Sequence, residues 1–170
     1  MTSHEIIAFL PPEVAAHILD FSFTSDRKVY RAAMEAVAQA RRLRSVFLER
    51  QPRPQRDKLI IESLGTPKLA AMTDNLVRHW LLSAHKGMLG DFLDALGVKH
   101  ENGVVENLPD SVPDPALRAA IDGMLAKHPQ EAVVVYLHGF NTMNDSKWTN
   151  LDAILVSDAR LDLEKLTVTK

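Results

Sequence analysis

Cysteine is absent from the 170 residues. That one absence excludes disulfide staples, thiolate metal sites and cysteine nucleophiles together, and it fits a reducing compartment. No apolar run approaches the ~18 residues a membrane span needs. The stretch Met1-Thr2-Ser3-His4-Glu5-Ile6-Ile7 has no basic leader, and Pro11-Pro12 cut short the apolar residues that follow, so a secretory signal is not expected. These features predict a soluble, cytoplasmic protein without membrane attachment. Internal repeats and low-complexity tracts are also lacking. Gly87, Gly90 and Gly97 match neither phosphate-loop fingerprint, and no cofactor motif is present.

What remains is the composition of an ordinary globular chain, 46% hydrophobic and 25% charged. Its length suits a single domain, with a possible subdomain boundary where composition shifts at residues 97–113. The net charge of −2 is unevenly spread. Residues 1–86 hold 13 Lys/Arg against 9 Asp/Glu, or +4, and residues 87–170 hold 7 against 13, or −6. Such polarity can steer a partner or another copy of the same chain.

Apolar periodicity predicts a mainly α fold, a compact array of six to eight short helices. Pro11-Pro12 open the first, with Leu10, Val14, Ile18 and Leu19 as its apolar positions. Ser25-Asp26 caps the next, whose stripe Val29, Ala33, Val37, Ala40, Leu43 and Phe47 predicts one helix through about residue 49. Pro52 and Pro54 interrupt it. A short helix ending at Gly65 follows, then one opened by Thr66-Pro67 and carrying Leu69, Met72, Leu76, Val77 and Trp80. After a bend at residues 83–87, Met88 to Leu96 form another, closed by Gly97. Asn102-Gly103 between short valine segments reads as one minor β-hairpin or loop. Asp114-Pro115 starts a helix through Leu125, Asp145 caps a last one through Leu155, and residues 161–170 read as a tail.

The segment Ala132-Val-Val-Val-Tyr136-Leu137 is ambiguous. Three valines favour a buried strand. The Pro129-Gln130-Glu131 opening, and the lack of another convincing strand to pair with, favour helix. Val135-Tyr136-Leu137-His138-Gly139-Phe140 resembles the His-Gly oxyanion segment of the α/β-hydrolase family, where it ends a buried strand. That family also requires a Gly-x-Ser-x-Gly elbow followed by an acid and a histidine. This chain contains no such elbow and no histidine after His138. The segment is therefore read as a helix with a polar kink, and no catalytic residue is assigned. Leu10-Pro11-Pro12-Glu13 resembles the opening of F-box-type adaptor helices, but helix-start chemistry accounts for it.

No metal site is expected from the seven histidines. Two imidazoles on one helix must lie three or four residues apart to face one ion, yet His79 and His85 are six apart and the others are more isolated. Ser83 lies four residues from His79, without an evident acid to orient the imidazole. The strongest polar feature is Arg41, Arg42, Arg44, Arg50, Arg53, Arg56 and Lys58. These are seven cations in eighteen residues, with only Glu49 and Asp57 opposing. Arginine forks suit carboxylate or phosphate recognition.

The resulting expectation is a non-enzymatic helical protein-interaction module, able to self-associate, that binds through Arg50, Arg53 and Arg56. An alternative is a small-ligand binder or enzyme with a pocket near Trp80, His85, Tyr136 and His138. A second alternative is nucleic-acid binding through the Arg41–Lys58 segment, which no recognised nucleic-acid motif supports.

Overall fold

The protein is described by a computed structural model covering residues 1–145 and 147–169. Ten α-helices occur among the described residues, and none is long and apolar enough to cross a membrane. The residues group into two compact units. One is Thr2–Trp80; the other is Leu81–Lys170 together with Met1.

In the first unit, α1 (Ser3–Phe9), α2 (Pro12–Ser25), α3 (Arg27–Ala40), α4 (Ser45–Glu49) and α5 (Arg53–Leu64) precede a 3₁₀ turn, Pro67–Leu69, and the start of α6 (Ala70–Ala84). Helix α2 packs on α3 and α5, α1 on α5, and α3 on α4. Ile6, Val14, Ile18, Leu19, Val37, Leu48, Ile60 and Leu64 are fully or almost fully buried. Asp26 caps α3 by accepting the Lys28 N–H at 3.0 Å, and Gly65 follows α5 as its terminator, both as predicted. The helix count exceeds the expected six to eight for two reasons. Helix α1 starts ahead of the prolines, where the Thr2 N–H donates to the Glu5 carboxylate at 2.7 Å. The apolar stripe running to residue 49 is also two helices rather than one.

The break between α3 and α4 has a defined cause. Arg42 adopts φ +56°, in the left-handed region. Its N–H donates to the Gln39 carbonyl at 3.2 Å, and the Leu43 N–H reaches back to the Ala38 carbonyl at 2.8 Å. This pair of bonds is a Schellman ending built on arginine instead of glycine, so no residue signal marked the stop. Helix α7 (Lys86–Ala95) ends in the same motif built on glycine. There Gly97 at φ +67° donates to Asp94, and Val98 to Leu93 at 2.9 Å.

The second unit contains α7, α8 (Asp114–Lys127), α9 (Gln130–Met143) and α10 (Thr149–Ser157). Helix α7 packs on α8, while α9 packs on α8 and α10. Phe92, Tyr136, Phe140 and Trp148 form a connected ring cluster, with centroids 5.2–5.9 Å apart. Residues 132–137 are helical, and Val133, Val134 and Val135 are fully buried. The Pro129 carbonyl accepts from both Ala132 and Val133 at 3.1 Å, so a strong N-terminal start outweighs the strand preference of the valines. This also removes the strand on which the hydrolase-like segment would depend.

Three expectations need correction here. The hairpin near Gly103 is not seen. Glu101 and Val104 form an isolated antiparallel bridge around a turn with φ +53° at Asn102 and +84° at Gly103. Farther along, the Pro109 carbonyl accepts from Trp148 Nε1 and the Val112 carbonyl from Asn150 Nδ2, each at 2.8 Å. Asp145 does not cap α10. It has φ +50°, and its N–H closes the end of α9 on Thr142, while α10 starts at Thr149 with Trp148 as its N-cap. Finally, the segment after residue 158 is not a loose tail. It forms the 3₁₀ turns Ala159–Leu161 and Leu163–Lys165, and buries Leu161, Leu163 and Leu166.

Candidate protein-docking groove

The arginine-rich segment is divided by structure into two groups. Arg53 and Arg56 are engaged within their own unit. Arg53 pairs with Asp20 and, at 3.2 Å, with Asp57, and its guanidinium carbon lies 3.7 Å from the Phe23 ring centroid. Arg56 Nε donates to the Tyr30 hydroxyl at 2.8 Å, and the Tyr30 O–H donates to Asp57 at 2.6 Å. Phe23 and Tyr30 meet edge to face at 5.0 Å. Burial, together with donation to Asp57, pushes the Tyr30 phenol up to about 12. The Tyr30 proton therefore stays in place at neutral pH, and the network ties α5 to α2 and α3. Arg41 likewise donates to Ser63 Oγ at 2.6 Å.

Arg44 and Arg50 differ. Both are exposed, and neither makes an ion pair among the described residues. Arg44 is extended and leads into α4, a single turn anchored by the fully buried Leu48. With Leu48 pointing inward, its neighbours Val46 and Phe47 face out, each 51% exposed. Pro52 then starts α5. A groove of about 540 Å³ results, lined by Arg44, Val46, Phe47, Arg50, Gln51, Pro52 and Gln55, none of them a carboxylate. An exposed aromatic and valine between two unpaired guanidiniums can bury an apolar anchor while pairing with acids beside it. The periodicity assigned Phe47 to the core stripe; the stop at Arg42 shifts its phase and turns it to the surface.

Of the residues of the alternative pocket, Trp80 belongs to the first unit and His85, Tyr136 and His138 to the second. Trp80 is buried in the first unit, edge to face with His17 at 6.5 Å. In the second unit His85 is half-buried at the start of α7. Tyr136 packs on Phe92 at 5.5 Å, and burial raises its phenol well above the ordinary value. His138 donates through Nε2 to the Leu161 carbonyl at 3.0 Å, and burial lowers its pKa. Tyr136 and His138 thus serve different contacts, as residues two apart on a helix do. No group of three or more His, Asp or Glu side chains with metal-holding geometry is found among the described residues.

A second, wider groove of about 1080 Å³ runs along residues 96–116, with Glu101, Val104 and Glu106 in its lining. Val104 is 64% exposed. Comparison with protein-family models, with curated proteins and with solved structures returns no match.

Proposed function

We propose that this chain is a non-enzymatic helical protein-interaction module that docks an acidic protein segment in the α4 groove. The observation that carries this reading is the placement of half-exposed Phe47 and Val46 between Arg44 and Arg50, in a lining free of carboxylates. Apolar anchors supply affinity, while the unpaired arginines select acidic flanks. The residues that make the contact are then Arg50, Arg44 and Phe47, whereas Arg53 and Arg56 hold the groove's supporting helices together.

The test is a titration with a fluorescent peptide carrying one leucine between glutamates, alongside duplex DNA and single-stranded RNA at low salt. Binding of the peptide should weaken at least ~10-fold in Arg44→Glu/Arg50→Glu and in Phe47→Ala, since each change costs about 1.4 kcal/mol or more at a docking centre. Sub-micromolar binding to DNA or RNA, abolished by the same charge reversal, would replace this reading with a nucleic-acid interface.

A further inference from the structure

The turn at residues 101–106 is the chemical complement of the α4 groove. Glu101 and Glu106 are exposed carboxylates without an ion pair among the described residues, and they flank Val104, whose side chain stands 64% exposed. The groove offers two exposed arginines around Val46 and Phe47. Acid, apolar residue, acid on one surface thus meets arginine, apolar pair, arginine on the other.

The turn is also held in shape before any contact. Glu101 and Val104 exchange backbone hydrogen bonds of 2.9 and 3.0 Å. His100 Nδ1 accepts the Gly103 N–H at 3.0 Å, which leaves Nε2 to carry the imidazole proton and donate it to Asp94 at 2.9 Å. Gly103 is required twice, by its φ of +84° and because a Cβ there would sit 2.8 Å from Leu89 Cβ. A preorganised turn loses little conformational entropy on docking.

Resting on the docking function proposed above, we infer that the groove's occupant is the Glu101–Glu106 turn of a second copy of this chain. Val104 seats against Phe47 and Val46, and Glu101 and Glu106 pair with Arg44 and Arg50. Because groove and turn are different surfaces, the contact is heterologous: each copy that gives its turn still has a free groove. Assembly therefore grows head to tail unless the rotation closes a ring. The small patch makes it a transient contact.

Sedimentation velocity from about 10 µM to about 1 mM, the range in which such contacts dissociate, tests this with two variants. One is Arg44→Glu/Arg50→Glu and the other Glu101→Arg/Glu106→Arg. The parent should show concentration-dependent growth. Each variant alone should associate at least ~10-fold more weakly, since like charges then face each other. An equimolar mixture should regain association, because the first variant keeps a native turn and the second a native groove. Glutamine at the same four positions supports the same comparison if a reversal unfolds the chain.

A parent that stays monomeric throughout overturns the inference, while peptide binding at the groove would still sustain the docking function. Association lost in the arginine variant but kept in the glutamate variant also overturns it, since another acidic segment then fills the groove. Association unchanged in both variants overturns the inference and, if the peptide also fails to bind, the docking function with it.

Discussion

Arg42 occupies a backbone conformation that costs an L-residue roughly 1–2 kcal/mol, and the Schellman bonds at the end of α3 hold it there. Its exposed guanidinium makes no ion pair among the described residues. Arg42→Gly should therefore stabilise the chain by about 0.5–1 kcal/mol, after the added unfolded-state freedom of glycine is subtracted. Urea denaturation measures this, and a loss of stability would mean that the arginine makes a contact outweighing its strain. His138 gives a pH dependence. Burial lowers its pKa below the ordinary 6.5, so the unfolded chain takes up a proton near that value before the folded chain does. The contribution of the neutral imidazole is then complete above about pH 6.5 and declines as pH falls toward the folded-state pKa. Thermal melts between about pH 7.5 and 5.5 should show a steeper loss for the parent than for His138→Gln, which keeps a donor for Leu161 but cannot titrate.

At the level of elements, α9 is decided at its N-terminus and held by its neighbours. Glu131 lies in its first turn, where a carboxylate favours the helix dipole, and is only 2% exposed. Its oxygens accept from the Thr169 N–H at 3.2 Å and the Thr169 hydroxyl at 2.7 Å. With Leu161, Leu163 and Leu166 buried and Gln130 Nε2 donating to the Arg160 carbonyl at 2.7 Å, residues 159–169 are a fixed part of the second unit. Glu131→Ala removes two charge-assisted bonds to Thr169, whose exposed donors turn to water, and should cost about 1–3 kcal/mol. Amide exchange should quicken at Thr169 while the body of α9 stays protected. Equal loosening of the whole helix would instead make Glu131 a determinant of α9 itself.

Along the whole chain, the two halves of the sequence differ in charge, +4 over residues 1–86 and −6 over residues 87–170. Added salt should weaken docking at the α4 groove, but only modestly, because two arginines act there and Phe47 and Val46 supply salt-insensitive area. About five cations set on duplex phosphates would instead give a log–log salt slope near −4.5. The slope therefore separates a protein contact from a nucleic-acid one without knowledge of the partner.

Much of the helical order could be read from residues whose local chemistry has one outcome. Asp26 starts a helix through its side-chain bond, Pro67 opens a turn through its fixed φ, and Gly97 stops a helix through its left-handed backbone, while Gly65 ends α5 at an ordinary φ of −72°. The Asn102-Gly103 turn was legible for the same reason, since few residue pairs accept positive φ at two successive positions. The arginine cluster was legible as a concentration of charge. Its division into Arg53 and Arg56, which bind Asp20, Asp57 and Tyr30, and Arg50, which lines the groove, depends on Asp20 and Tyr30, 33 and 26 residues away. The stop at Arg42 was equally hidden, because the Schellman bonds that close α3 hold an arginine in a left-handed backbone against the residue's own preference. Sequence determined where local propensity is strong. Tertiary structure alone decided which apolar side chains turn outward and which charges stay unpaired, since both depend on residues distant in the chain.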